Sequence, residues 1–105
     1  MIVKAIDSKH REFKGVQFEV LAMGDKSMIT KMNYKVNDKV PPHSHPNEQS
    51  GYVISGEYII EYGQVKAILV KGDSYSIPEN MIHSWEVIKE GEVIDTFTPP
   101  REDYL

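Results

Sequence analysis

The apolar runs of this 105-residue chain are short, and Gly, Asn, Asp or Pro separates them about every ten residues. They cover residues 15–23, 27–36, 51–63, 65–72, 82–88 and 91–98, are rich in β-branched and aromatic residues, and nothing among them reads as a long helix. Strand-like runs with turn signals at this spacing predict an all-β sandwich or barrel. Turns are expected at Gly24-Asp25, Asn37-Asp38, Gly63-Gln64 and Gly72-Asp73, residues that tolerate positive φ or form Asx-turns. Lys89-Glu90-Gly91 is expected to close a three-residue hairpin, with Gly91 in the left-handed position. The prolines at 41, 42, 46, 78, 99 and 100 fall outside the apolar runs, as suits a residue that cannot donate to a ladder. With no linker, repeat or low-complexity tract, one domain spanning 1–105 is the expectation.

A hydrophobic content of 40% is enough for a core, and a formal net charge of −4 argues against a general nucleic-acid or anionic-membrane binder. An anionic ligand would need a local basic group. The chain has no cysteine, which removes disulfides, thiolate metal sites and thiol nucleophiles and fits a reducing compartment. Its first residues, MIVKAIDSKHREFK, contain no apolar run of signal-peptide length, and no segment approaches the roughly 20 apolar residues of a membrane helix. A cytoplasmic protein is expected.

The chemistry-bearing stretch is PPHSHPNEQSGYVISGE, residues 41–57. On a strand His43 and His45 would share a face, with Ser44 opposed. Two imidazoles on one face can begin a site for Zn, Ni, Cu or Fe; the same pair is also compatible with a polar surface loop. Gln49 lies at even spacing from His45 and Glu48 at odd spacing, but the bend at Pro46-Asn47 keeps parity from choosing between them. His83 opens an apolar strand after a Pro-Glu-Asn turn, where a lone histidine can equally be structural, and His10 sits among charges as a solvated residue.

Taken together these segments resemble the cupins over nearly the whole chain. The family's first motif, approximately G-x5-HxH-x3,4-E-x6-G, is matched by His43, His45, Gln49 and Gly56. Its leading Gly is absent, and Asn37 or Asp38 stands there as a turn former. The second motif, G-x5-P-x-G-x2-H-x3-N, is matched by Gly72, Pro78, Asn80 for the inner Gly, and His83, with Val87 replacing the terminal Asn. The motifs span about 38–57 and 72–87. The resemblance implies an antiparallel double-stranded β-helix, or jelly-roll barrel, binding one divalent transition metal (Ni, Zn, Mn or Fe) through His43, His45, Gln49 and His83. Small cupins commonly pair through an N-terminal strand, so a homodimer is implied, with MIVKAI as a candidate strand.

An amide in place of the family's glutamate leaves the site one positive charge higher. That makes a bound metal a stronger Lewis acid and moves the search for a base elsewhere. In VIDTFTPPREDYL, Asp95 and Phe97 share a strand face, and Arg101 follows a Pro-Pro bend. If residues 89–91 form the three-residue loop, Asp95 lies opposite Trp85 and Phe97 opposite His83; a two-residue loop reverses that parity. Asp95 paired with a lysine, Phe97 as plain core and Arg101 in a solvated tail are the alternatives. HSHPNEQSGYVISGE together with DTFTPPREDYL resembles one cupin subgroup, the pectin-degradation proteins that ketonise 4,5-unsaturated monouronates. That resemblance implies a small anionic sugar-like substrate, with Asp95, Phe97 and Arg101 near it. Tyr52, Tyr75 and Trp85 are further candidates to line the pocket, but aromatics at strand positions are more often core, and they are left out of the catalytic set. The competing functions are an iron-dependent dioxygenase-type cupin, against which Gln49 counts, and a non-catalytic metal-dependent sugar-binding or sensing module.

Overall fold

The computed structural model describes residues 1–105 and contains ten strands and two 3-10 turns. In chain order the strands are β1 (Lys9–Phe13), β2 (Val16–Met23), β3 (Met28–Tyr34), β4 (Lys39–His43), β5 (Glu48–Val53) and β6 (Glu57–Tyr62). They continue as β7 (Val65–Leu69), β8 (Ser74–Ile77), β9 (His83–Lys89) and β10 (Gly91–Thr98). The fold is all-β: a six-stranded sheet ordered β1-β2-β3-β10-β5-β8 and a four-stranded sheet ordered β4-β9-β6-β7, antiparallel throughout. No helix is long and apolar enough to cross a membrane.

Period-two alternation places the core. Met28, Thr30, Met32 and Tyr34 of β3 point inward, as do Val93, Asp95 and Phe97 of β10. Phe18, Val53, Tyr58, Ile60 and Ile77 complete the apolar filling between the sheets. One inward row thus carries a carboxyl, Asp95, between two large apolar neighbours.

The expected turns at Gly24-Asp25, Asn37-Asp38, Gly63-Gln64 and Gly72-Asp73 all fall between strands, and Asn37, Gly63 and Gly72 have φ of 72°, 55° and 92°. Asn80, at the position of the motif's inner Gly, takes φ 62°. Three strands lie outside the expected runs. β1 is a charged, exposed edge strand, joined to β2 by Lys14 and Gly15 with φ 50° and 84°, which makes a two-residue type I′ turn. β4 contains Pro41 and Pro42, so two prolines do sit in a strand; it lies at a sheet edge, where a missing N–H costs no ladder bond. β8 is also a short edge strand. The single run 51–63 is two strands, β5 and β6, divided at Gly56 (φ 94°), where the chain changes sheet. MIVKAI carries no strand, since residues 1–4 are irregular and Ala5–Asp7 forms a 3-10 turn.

The largest departure concerns residues 89–91. β9 and β10 do not form a hairpin; they belong to different sheets, and Glu90 alone links them. Asp95 therefore lies opposite Thr30 and Gly51 rather than Trp85, and Phe97 opposite Met28 and Gln49 rather than His83. Gly91 is absent from the positive-φ residues, and its role is steric: a Cβ there would drive into the Ser55 carbonyl and the Gly56 amide, both backbone atoms. Gly91→Ala should accordingly destabilise the fold by about 2 kcal/mol, as overpacking against unyielding groups does. An unchanged midpoint in urea unfolding would contradict this account of the crossing.

Candidate metal centre and its acid–base neighbours

The two histidine motifs meet because β4 and β9 are neighbours. His43 ends β4, His83 begins β9, and the two are register partners. His45 is not on a strand with His43. β4 stops at His43, and His45 lies in the connection that carries the chain into β5. The three side chains still converge, with ring centroids 4.3 Å (His43–His83), 4.9 Å (His45–His83) and 5.7 Å (His43–His45) apart. One ligand nitrogen from each lies within 4.8 Å of the others.

Each ring is held by a backbone carbonyl two residues away. Nδ1 of His43 meets Pro41 O at 3.0 Å, Nδ1 of His45 meets Asn47 O at 2.9 Å, and Nδ1 of His83 meets Met81 O at 2.8 Å. Nδ1 must carry the hydrogen to satisfy a carbonyl, which leaves Nε2 as the free lone pair on all three rings. Burial lowers all three pKa values, His43 to about 4, and Arg101 lowers them further. The rings are neutral imidazoles near pH 7, the form that ligates. Three inward Nε2 donors with fixed tautomers fit a borderline transition metal.

Gln49 is buried on β5, with Oε1 3.1 Å from His45 Nε2, while Glu48 is exposed on the opposite face. Asp95 sits next to it, one per cent exposed, on the β10 row facing β5. Burial raises the Asp95 pKa to about 6, against hydrogen bonds from Tyr75 and Gln49 and the charge of Arg101, which pull it down. Phe97 is fully buried, edge-on to His45 at 5.6 Å, and forms part of the wall.

Arg101 is no solvated tail residue; it is three per cent exposed. Its guanidinium lies over the Tyr104 ring at 3.9 Å and near Phe13 and Phe97 at 5.0 and 5.2 Å. Its fork is filled by Asp103, with Nε donating to Oδ1 at 3.1 Å and Nη2 to Oδ2 at 2.6 Å, while Nη1 donates to the Tyr104 hydroxyl at 2.9 Å. Two spaces border the site. An inner cavity of about 30 Å³ touches His43, Gln49, His83, Asp95 and Arg101. An outer cleft of about 850 Å³ touches His43, His45, Asn47, Arg101 and Asp103. Trp85 lines the inner cavity, and its buried Nε1–H has no hydrogen-bond partner.

A cupin-domain family model matches residues 30–97, which contain both histidine motifs. The chain belongs to the cupin family. The structure is similar to that of an RmlC-like cupin from Shewanella frigidimarina (26% identity, TM-score 0.91, covering 99% of this chain and 95% of that one). It is also similar to KdgF from Halomonas sp. (24% identity, TM-score 0.87, 98% of each chain). Bacillus subtilis oxalate decarboxylase, described with Mn(II) centres, shares the fold at 17% identity (TM-score 0.80, 90% of this chain and 28% of that one). No curated protein matches the sequence.

Several residues of this cupin site carry no signal in the linear sequence. Asn47 accepts from His45 Nδ1 through its carbonyl and donates from its side chain to Pro99 O at 2.6 Å, tying the histidine loop to the end of β10. Phe13 comes from the unanticipated β1, and Tyr104 from the tail. Tyr75, left out of the catalytic set, donates its phenol hydrogen to Asp95 Oδ1, whereas Tyr52 is half exposed and belongs to neither core nor pocket.

If the triad holds a metal, a divalent ion at about a hundred times its Kd should stabilise the cupin by about 2.7 kcal/mol. The gain in melting temperature should reverse with chelator and vanish in His83→Ala; its absence in the wild type would overturn the metal reading. Asp95 gives a second expectation. Its folded pKa of about 6 exceeds the unfolded value of 3.8, so its contribution is intact below about pH 4 and is lost as pH rises through 6. In metal-free protein Asp95→Asn should gain on the wild type between pH 4 and pH 8, reaching on the order of 2–3 kcal/mol. Parallel stability curves across that range would contradict the burial argument.

Proposed function

We propose that this cupin converts cyclic 4,5-unsaturated monouronates to their linear keto forms. The observation that carries the reading is a buried carboxyl, Asp95, beside an imidazole triad, with a buried guanidinium, Arg101, bordering the same cavity. The resemblance of HSHPNEQSGYVISGE and DTFTPPREDYL to the pectin-degradation cupins supports it, and the fold similarity to KdgF from Halomonas sp. is in keeping with it. The reading takes the working protein as a cytoplasmic homodimer, as the family resemblance and the cysteine-free composition imply.

The reaction is an isomerisation. The anomeric hydroxyl loses a proton, the ring C–O bond opens to an aldehyde and an enol, and C4 gains a proton as the enol becomes a ketone. A group that takes one proton and returns one is sufficient, and a carboxyl with a pKa of about 6 can do both near neutral pH. A divalent ion on His43, His45, His83 and Gln49 would polarise the substrate's oxygens. Phe97 keeps water from the carboxyl. Arg101 suits the uronate carboxylate, because its planar fork binds such a group at two points. That fork already holds Asp103 in the same bidentate manner, so the substrate carboxylate would take the place of the Asp103 carboxylate.

Loss of the unsaturated uronate's ultraviolet absorbance tests this. Wild type should exceed the spontaneous rate, Asp95→Ala should lose at least about a hundredfold in kcat, and Arg101→Ala should raise KM roughly tenfold or more. Asp103→Asn, which removes the internal competitor, should lower KM. A wild-type rate equal to the spontaneous one would refute the assignment.

A further inference from the structure

Three adjacent strands of the larger sheet place Tyr75, Gly51 and Asp95 in one row. Gly51 on β5 is the register partner of Tyr75 on β8 and of Asp95 on β10. Two strand spacings separate the outer members of that row, about 10 Å of backbone. Only a long side chain lying across the middle strand can bridge them, and the Tyr75 phenol does so, ending on Asp95 Oδ1. Gly51 is what permits the crossing. A Cβ there would fall inside contact distance of the Tyr75 ring, the Tyr75 hydroxyl and the Asp95 carboxylate at once. Gly51 is not among the positive-φ residues, so its use lies in lacking a side chain rather than in backbone freedom.

The phenol also stands on a definite side of the carboxyl. Asp95 borders the inner cavity and Tyr75 does not, so the hydroxyl supports Asp95 from behind. The Tyr75 ring packs on Trp85, which does border the cavity, at 5.3 Å between centroids. Buried tyrosines elsewhere in the barrel serve the fold: Tyr58, for example, donates to Ser55 O and braces the β5–β6 crossing.

We propose that Tyr75 is the positioning residue for Asp95. Its phenol fixes Oδ1 and leaves Oδ2 turned to the cavity, and Gly51 is the cut-out that lets it reach. The catalytic part of this inference rests on the ketonisation reading; the contact itself does not. A phenylalanine would fill the same ring volume and leave Asp95 with one donor fewer.

Tyr75→Phe, loaded with metal as the wild type is, tests the assignment. The expected result is a fall in kcat of roughly ten- to a hundredfold, the order of effect that a misplaced reacting group produces. KM and metal content should stay close to wild type, and the variant should remain folded at the assay temperature although the lost hydrogen bond to a buried carboxyl lowers its melting temperature. Gly51→Ala should show the same kcat loss with its tyrosine intact; should that variant fail to fold, Tyr75→Phe decides alone. A Tyr75→Phe kcat equal to wild type, or a loss matched by lost metal or by unfolding at the assay temperature, overturns the proposal. Proton NMR supplies a readout independent of activity: an exchange-protected phenolic proton assigned to Tyr75 in wild type, distinct from that of Tyr58, absent in Tyr75→Phe and lost in Asp95→Ala. If wild type lacks ketonising activity, the reaction assignment falls and the NMR signal alone decides the contact; a signal unaffected by Asp95→Ala refutes it.

Discussion

A carboxyl that is one per cent exposed has lost nearly all its water, and the site is organised around what replaces that water. Burial alone favours the neutral acid. Against it stand a phenol, an amide and a guanidinium, and their sum leaves Asp95 with a pKa of about 6 rather than far above neutrality. Each counterweight has its own structural requirement. The phenol needs a side-chain-free position on β5, the amide needs Gln49 on the inward face of that strand, and the guanidinium needs a tail folded back under the barrel. Polar groups in a dry interior must all be partnered, so the residues around Asp95 are fixed together rather than one at a time.

Gln49 shows that interdependence. Its carbonyl oxygen lies 3.1 Å from His45 Nε2, and its amide is among the groups that pull the Asp95 pKa down, as a donor beside a carboxylate does. An ionised glutamate at this position could donate to neither neighbour. It would also set a second carboxylate beside Asp95, and like charges at such a distance push one pKa strongly upward. The amide therefore does two things. It leaves a bound metal less neutralised, and it holds the carboxyl next door in a range where it can release and recover a proton.

The legible parts of this site were those carried by spacing along one strand. Asp95 and Phe97 alternate inward with Val93, and the histidine pair and His83 were visible as motifs. What could not be read is whatever depends on the order of strands in space. Tyr75 and Asp95 are 20 residues apart and meet only because β8, β5 and β10 are neighbours, an order that no local pattern encodes. Gly91 looked like a conformational glycine because a charged turn precedes it, but its reason is contact with a backbone 35 residues earlier in the chain. Reading it as a hairpin gave Asp95 the wrong partners and still the right face, since inward alternation within β10 is independent of what β10 pairs with. Pro41 and Pro42 misled in the opposite direction: they suggest a loop, and only the edge position of β4 makes a strand tolerable there.

The tail completes the electrostatics and constrains how a substrate could enter. An inner cavity of about 30 Å³ has room for a water or two but not for a sugar ring, so a monouronate must either stay in the outer cleft or displace what closes the barrel. Freeing Arg101 with nothing in return would leave a guanidinium buried among Phe13, Phe97 and Tyr104 without an anion, at a cost of several kcal/mol. Exchange of one carboxylate for another avoids that state. Asp103 holds the fork at two points but is itself more than half exposed, so its carboxylate can regain water as the substrate's loses it. On the proposed function the acidic tail residue is therefore a stand-in for the ligand, keeping Arg101 shaped and paired while the site is empty of substrate. A neutral sugar could not make that exchange. Preference for an acid sugar would then arise partly from the energy of the unliganded protein, and not from the contacts of the complex alone.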